Sequence, residues 1–337
     1  MTVVALILLS LSTPAGGTAL SQADEPSFLV VSRGEGLDSV EIPHGEELEY
    51  VVEVDVGLFG DIDAGRVTLS AGNEPYVAGL PAPGEKPRTE APRRVGWLRT
   101  QARGAYLGYE LKHDIESRHL PQEWPAAISR DTQAGSESRR RELKLGLREG
   151  KPTASYRNDG HCKGCRSPEH FVESTWAWGE PYHCKKCKRG EHRVWREPVQ
   201  REVAPGSVDL LTAVYLARSM IRQGREESTF PVVIKQRQWI VTVTRGPTRK
   251  IETPAGRFQC ALARLDTQIP PGEPPTDKGK FEGLFGLQGT IKIWMEVTTG
   301  IPVQISGELP VPVIGTLDVN VRLRAYQGAP ESFAPVR

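Results

Sequence analysis

The sequence lacks an excess of charge of either sign. Its 337 residues include 43 Lys plus Arg and 42 Asp plus Glu. A chain that coats nucleic acid or an anionic membrane carries a broad field of one sign, and this balance excludes such a footprint. Any contact with a polyanion must therefore be local.

The amino terminus lacks an apolar run long enough to cross a bilayer. The run from Val3 to Leu11 has nine residues, well below the roughly 20 that a membrane-spanning helix needs. Small residues follow it, then the first acidic pair, which is the pattern of a secretory signal peptide. We expect residues 1–23 to be a signal peptide, cleaved after Ala23 or Ala19, and the mature chain to be periplasmic or otherwise exported, with no transmembrane span.

Two features qualify this expectation. No Lys or Arg precedes the apolar run, although signal peptides usually carry one, so a buried amino-terminal strand is the alternative. No Cys follows the run, so a lipoprotein anchor is not supported.

Recognisable catalytic motifs are absent as well. The sequence has no Gly-x-Ser-x-Gly, and Arg166 and Lys188 stand where covalent haem attachment would need His. His113, Asp114 and Glu116 are close together on what we expect to be a polar loop, but no nucleophile motif accompanies them. We therefore assign no catalytic residue.

The sequence is rich in Gly and Pro, the residues that form turns between short strands. Its 34 Gly and 27 Pro break long helices and favour a turn-rich, mainly β protein. Apolar and acidic residues alternate from Leu48 to Val56, as in a strand with one buried face. Five prolines between residues 73 and 96 mark an excursion from the sheet.

Further strands and one helix follow along the chain. A helix is expected after Ser207 as N-cap, with Gly224 just beyond its end. Arg218 and Arg222 near its carboxyl end stabilise the helix dipole. The segment Gly283 to Gly286 is expected to bend the sheet. The predicted strands are Arg66–Ser70, Ala102–Leu111, Arg141–Leu147, Phe230–Lys235, Trp239–Thr244, Phe258–Leu265, Thr290–Val297, Val303–Gly307 and Gly315–Tyr326.

These elements predict a mainly β fold: a strongly curved antiparallel sheet or incomplete β-barrel with one packed helix, plus a small inserted zinc ribbon. After the signal peptide, residues 24–157 form the first part of the β domain, residues 158–195 the zinc-ribbon-like insertion, and residues 196–330 the helix and the second part. Cys260 lies in an apolar strand pattern and is expected to be a buried small hydrophobe.

Several segments, taken in order, resemble DUF3108, a bacterial family of exported proteins of unknown function. The resemblance covers roughly residues 44 to 328, without the cysteine block. It implies a periplasmic β-rich fold and offers no reaction, ligand or catalytic residue. The matching pieces are Gly45-Glu46-Glu47-Leu48 with Tyr50, Ala64-Gly65, Asp114-Ile115-Glu116-Ser117, Asp209-Leu210-Leu211 with Tyr215 and Arg218, Thr253-Pro254-Ala255-Gly256 with Cys260, Ile293-Trp294, and Ile301-Pro302-Val303.

The most specific motif is a pair of cysteine knuckles. Cys162, Cys165, Cys184 and Cys187 form C-x2-C-x18-C-x2-C, a spacing typical of structural zinc held by four thiolates. Such a site is closed, so the zinc would support structure and not catalysis. Two disulfides are the alternative, because an exported protein meets an oxidising compartment.

The knuckles also carry local positive charge. Lys185, Lys186, Lys188 and Arg189 make the ribbon basic, which suits contact with a polyanion or a partner protein. The alternative is that these cations offset the negative charge of zinc bound by four thiolates.

Three functions remain open from the sequence. The first is a non-enzymatic envelope protein that binds an apolar or amphipathic ligand, or a partner protein, with the ribbon as a structural module. The second is an enzyme that acts on envelope polymers through loop-borne acidic residues. The third is a polyanion or nucleic-acid binder, which export would disfavour.

Overall fold

Seventeen strands and one α-helix make up the part of the chain that the computed structural model describes. It describes residues 28–33, 37–55, 61–75, 94–106, 109–119, 127–135, 139–161, 193–273, 281, 283–311 and 315–336. The strands are β1 (Phe28–Val31), β2 (Val40–Pro43), β3 (Glu46–Asp55), β4 (Asp61–Pro75), β5 (Arg94–Tyr106), β6 (Tyr109–His119), β7 (Ala127–Gly135), β8 (Arg139–Arg148), β9 (Lys151–His161), β10 (Arg193–Trp195), β11 (Val199–Glu202), β12 (Glu227–Ile234), β13 (Arg237–Thr253), β14 (Gly256–Gln268), β15 (Gln288–Glu296), β16 (Pro302–Val311) and β17 (Gly315–Gln327).

All but β1 and β2 belong to one large antiparallel sheet. Its order is β10-β9-β8-β7-β6-β5-β4-β3-β17-β16-β15-β14-β13-β12, with β11 also paired to β9. Two meanders, β3 to β9 and β12 to β17, therefore meet where β3 pairs with β17. In the described part of the chain, strands from the two ends of this order do not pair directly, so the barrel is not closed. The predicted fold class, a curved antiparallel sheet with one helix, is confirmed.

A short piece of chain links the two ends of the sheet. We call residues 199–208 the bridging segment. Its first four residues pair with β9, and Val208 forms an isolated parallel bridge with Val232 of β12. Val203 joins Tyr156 of β9 and Val233 of β12 in a small apolar cluster. The sheet must therefore curl until its ends lie side by side.

Helix α1 (Leu210–Arg222) lies inside this curl. Every residue from Leu211 to Ile221 is buried, although a helix on a sheet surface usually keeps a polar face in water. It contacts strands of both meanders, β5 and β6 as well as β12, β14 and β15, and β2 packs on it too. The helix thus packs on the sheet, as predicted, but strands of both meanders enclose it.

The helix begins two residues later than predicted. Asp209, not Ser207, is the N-cap, and its carboxylate accepts hydrogen bonds from the N–H groups of Leu211 and Thr212. Ser207 donates to the carbonyl of Ala204 instead, at 2.6 Å. The predicted C′ glycine is correct, since Gly224 has φ +68°, which favours glycine.

Three predictions about the sheet are wrong. Residues Ala102 to Leu111 are not one strand but the facing ends of β5 and β6, whose Tyr106 and Tyr109 pair with each other. His113, Asp114 and Glu116 lie within β6 and not on a loop. In addition, Leu284–Gly286 forms a short 3-10 helix before β15 instead of bending a strand.

The six strands predicted for the last third of the chain are confirmed. In β17, Val319, Val321 and Leu323 are buried, as the alternation requires. Ala325 is exposed because the register with β3 shifts between Leu323 and Ala325. A β-bulge therefore turns Ala325, the last position of the predicted pattern, away from the core.

Candidate ligand-binding site

An apolar pocket opens on the concave face of the sheet, between β3 to β6 on one side and β16 and β17 on the other. Its empty volume, including the open mouth, is about 730 Å³. The apolar lining residues are Val52, Val54, Ala64, Val67, Ala102, Ala105, Leu111, Leu287, Leu309, Leu317, Val319 and Val321.

Strand alternation produces this lining. Val52 and Val54 of β3 and Val319 and Val321 of β17 occupy every second position, so their side chains project from the same face of neighbouring strands. They belong to the main apolar core or pack against it. The pocket is thus a part of the core that the side chains of the described residues do not fill.

Two paired glycines allow β4 and β5 to approach closely at the pocket wall. Gly65 lies opposite Gly104. A Cβ atom at Gly65 would lie 2.3 Å from the carbonyl oxygen of Arg103, and one at Gly104 would lie 2.6 Å from that of Ala64. Side chains at either position would therefore force the strands apart.

A second, polar pocket lies beside the apolar one. Its empty volume, again with the mouth included, is about 640 Å³. Strand β6 borders both pockets, with Leu111 in the apolar one and His113 and Ile115 in the polar one. The segment before β15 also borders both, since Leu287 lines the apolar pocket and Gly286 the polar one.

The polar pocket contains a hydrogen-bonded group of three ionisable side chains. His113 Nε2 lies 2.7 Å from Asp131 Oδ1. The other oxygen of Asp131 accepts from Arg141 Nη1 at 3.4 Å. His113 is buried, and β6, β7 and β8 place the three side chains on one face. The remaining charged lining residues are Arg139, Lys235 and Asp209.

Positive charge dominates around Asp131. Burial by itself raises the pKa of this carboxyl group, but the hydrogen bond from His113 and the charges of His113, Arg141 and Arg139 outweigh it and lower the pKa below its ordinary value. Burial raises the pKa of the nearby Tyr156 hydroxyl, which stays neutral. His113 and the two arginines therefore stabilise the negative charge of Asp131.

The helix N-cap closes the inner end of the polar pocket. Asp209 accepts hydrogen bonds from Ser117 Oγ at 2.8 Å and from Thr212 Oγ1 at 2.7 Å, besides its two backbone donors. His119, also buried, lies 3.1 Å from Thr212 Oγ1 through Nε2. The carboxylate of Asp209 is thus engaged by the protein itself.

Most of the candidate site residues predicted from the sequence lie outside the part of the chain that the structure describes. Cys162, Cys165, Cys184 and Cys187, the basic group Lys185, Lys186, Lys188 and Arg189, and the expected signal peptide all lie outside the described residues. Among the described residues, no three His, Cys, Asp or Glu side chains are grouped so as to hold a metal ion.

The predicted loop triplet separates across the sheet. His113 faces the polar pocket, whereas Asp114 pairs with Arg103 at 2.7 Å and Glu116 with Arg99 at 2.6 Å, on the opposite face. Asp114 and Glu116 therefore do not join His113 in the polar pocket.

Cys260 is fully buried, as predicted. Burial raises the pKa of its thiol to about 12, so it stays protonated and unreactive.

Sequence reasoning missed both pockets, and of the residues that line the polar one it weighed only His113 as a candidate. The alternation of Arg139, Arg141 and Leu143 in β8 placed these residues on one face, but it gave no sign that the face was inward.

Comparisons with known proteins give distant likenesses only. No family model matches the chain, so the resemblance to DUF3108 stays a prediction. No curated protein matches it either. Within the described residues, no helix combines the length and apolar character needed to span a membrane.

Three solved structures are similar to the chain. A β-barrel-like protein of the domain of unknown function DUF1849 from Brucella abortus has 9% identity and a TM-score of 0.46, covering 85% of this chain and 98% of its own. A candidate exported protein with a YmcC-like fold from Bacteroides fragilis has 9% identity and a TM-score of 0.29, covering 85% and 97%. A candidate lipoprotein from Parabacteroides distasonis has 10% identity and a TM-score of 0.28, covering 84% and 95%.

Proposed function

We propose that the chain is an exported, non-enzymatic envelope protein, of DUF3108 type, that binds an apolar or amphipathic ligand. One observation carries this proposal: the open apolar pocket on the concave face of the sheet. A folded protein normally fills its interior to the density of an organic crystal. Apolar side chains that border an unfilled, open volume therefore suit a guest molecule.

The pocket favours a ligand with an alkyl chain. Burying one methylene group stabilises a complex by about 0.8 kcal/mol, which corresponds to roughly a fourfold gain in affinity. Affinity should rise by that factor with each added methylene until the chain outgrows the pocket. Beyond that length, the gain should stop.

A displacement assay tests this directly. The protein is loaded with the uncharged fluorescent probe N-phenyl-1-naphthylamine, and alkanols of increasing length are used to displace it. Ala102→Phe places a ring in the pocket and should weaken probe binding at least tenfold. Ala325→Phe, at an exposed position on β17, is the matched control and should bind normally.

A folded Ala102→Phe variant that binds the probe as tightly as the wild type would show that the probe does not bind in the apolar pocket. Wild-type protein that neither takes up the probe nor yields lipid on extraction would refute the carrier proposal.

A second candidate function deserves a test because of His113 and Asp131. An imidazole hydrogen-bonded to a carboxylate at 2.7 Å in an open pocket is the arrangement of a general base. A hydrolase with His113 as base should release p-nitrophenol from alkyl esters. His113→Gln should then abolish turnover without preventing probe binding. Wild-type turnover equal to that of His113→Gln would exclude this function.

The cysteine block is proposed to be a separable insertion that folds on structural zinc, with Cys162, Cys165, Cys184 and Cys187 as ligands. Its ligand spacing supports this. The residues beside it also belong to the sheet, since His161 at the end of β9 pairs with Arg193 at the start of β10. Replacing residues 162–192 with a short Gly-Ser turn should therefore leave a cooperative melt, and global unfolding would contradict it.

Export is proposed from the amino-terminal run. The mature protein should begin near Ala19 to Asp24, and amino-terminal sequencing from the native host tests this. An intact Met1 would instead favour the polyanion-binding alternative through Lys185, Lys186, Lys188 and Arg189.

A further inference from the structure

Three cationic side chains and two carboxylates line the polar pocket: Arg139, Arg141 and Lys235, and Asp131 and Asp209. Asp209 accepts four hydrogen bonds from the helix N-terminus and Ser117. Asp131 is hydrogen-bonded to His113 and Arg141. Both carboxylates therefore already have hydrogen-bond donors within the protein.

We propose that this pocket binds the anionic headgroup, a carboxylate or a phosphate, of a single-chain amphiphile whose alkyl chain lies in the apolar pocket. This inference rests on the proposed function, because it assigns the polar end of the same ligand.

Arg141 has the geometry for such a headgroup. A guanidinium has five N–H donors in a planar fork that matches the oxygens of a carboxylate or phosphate. The bond from Arg141 to Asp131 is long, at 3.4 Å, and its side chain is 20% exposed. A ligand oxygen at the pocket mouth can therefore reach other donors of the fork without displacing the protein's own carboxylate.

Lys235 contributes a positive charge to the polar pocket from the turn between β12 and β13. It has φ +57°, a left-handed conformation in which glycine or asparagine is usual. The two-residue hairpin turn accounts for this conformation, and the turn places Lys235 in the lining of the polar pocket.

The two pockets are adjacent along β6. Leu111 of the apolar pocket and His113 of the polar pocket are two residues apart on the same face of β6, so their Cα atoms are roughly 7 Å apart. Arg141 is in register with Ile115 through Asp131, four residues along the sheet and two strands away from Leu111, so its Cα atom is roughly 16 Å from that of Leu111. An amphiphile that reaches both positions therefore needs a long alkyl chain.

The test uses four ligands with the same dodecyl chain: dodecanoic acid, dodecyl phosphate, dodecanol and dodecylamine. Each displaces N-phenyl-1-naphthylamine from the full-length protein, at a pH where the acid is ionised. Charge-assisted hydrogen bonds should give the acid or the phosphate an affinity about tenfold higher than that of dodecanol. The better of the two anions identifies the headgroup.

Two variants locate the effect. Arg141→Gln and Lys235→Gln should each reduce the preference for the anion to less than about threefold while dodecanol binding persists. Arg264→Gln removes an exposed arginine of β14 and should leave the preference unchanged. Raising the salt concentration on wild-type protein should weaken the anion and not dodecanol, a readout that needs no variant.

The outcomes separate this inference from the proposed function. If dodecanol binds but the anions bind no better, or if dodecylamine binds best, the anionic assignment is wrong and the apolar pocket stands. If none of the four ligands displaces the probe, both are wrong. An anion preference that survives in folded Arg141→Gln and Lys235→Gln would place the headgroup elsewhere and overturn the assignment.

Discussion

A buried ion pair fixes the helix inside the sheet, and breaking it should destabilise the fold strongly. Arg218 of α1 donates to Glu46 of β3 through two hydrogen bonds, Nη1 to Oε1 at 2.6 Å and Nη2 to Oε2 at 2.8 Å. The side chains are 8% and 0% exposed. Burial lowers the pKa of Arg218, but the Glu46 carboxylate more than offsets this and raises it above the ordinary value.

Glu46→Gln removes the negative charge and leaves the guanidinium buried. Removing one partner of such a pair typically costs about 3–5 kcal/mol, because the remaining charge is uncompensated. The ring of Tyr215, 4.7 Å from the guanidinium carbon, recovers ~1–2 kcal/mol at most. We therefore expect the free energy of unfolding to fall by about 3 kcal/mol.

Equilibrium urea unfolding, followed by circular dichroism, measures this. Glu47→Gln is the matched control, since Glu47 is the exposed neighbour on the same strand, and it should change stability by less than ~0.5 kcal/mol. The double variant Glu46→Leu with Arg218→Leu should be markedly more stable than Glu46→Gln, because neither charge remains. A loss below about 1 kcal/mol in Glu46→Gln would refute the assignment of a desolvated, structurally essential pair.

Three further predictions concern the helix cap, pH and metal. Asp209→Ala should lower the free energy of unfolding by about 2–4 kcal/mol, since four hydrogen bonds are lost, and Ser207→Ala by only ~1 kcal/mol; urea titration compares them, and equal losses would contradict the observed cap. Burial lowers the pKa of His119, against a smaller opposing effect of Asp209, so the unfolded chain takes up the proton first. Stability should therefore fall as the pH drops below the unfolded value of about 6.5, and His119→Gln should flatten that slope; an unchanged slope would rule His119 out. Elemental analysis should find about one zinc per chain in the wild type and almost none in Cys162→Ser. Two disulfides by mass spectrometry and no metal would instead show that the four cysteines cross-link the chain covalently.

Alternation in the sequence predicted strands well where one face is apolar and the other polar. Val319, Val321 and Leu323 in β17 are of this kind. In β7 the inward positions include Ser129 and Asp131, which line the polar pocket, so both faces look polar and no strand was predicted. In β7, the polar residues that line the candidate site are thus the reason why the strand was not predicted.

The helix boundary and the loop triplet failed for local reasons. Ser207 and Asp209 are both good N-cap residues, and the choice between them depends on Val208, whose N–H and carbonyl bond to β12 at 3.0 and 2.8 Å. That partner is distant in sequence. His113 was assigned to a loop because its neighbours are charged, but those charges pair with Arg99 and Arg103 on the outer face.

The pairing of β3 with β17 has a consequence for how the chain reaches its fold. Within each meander, successive strands are neighbours in sequence and can pair as soon as both exist. The β3–β17 ladder joins residues such as Asp55 and Asp318, so it closes a loop that contains nearly the whole sheet and forms slowly. Until then β3 and β17 are two unpaired edges with exposed hydrogen-bonding groups. That interval is when the protein is most exposed to edge-to-edge association with other copies of itself.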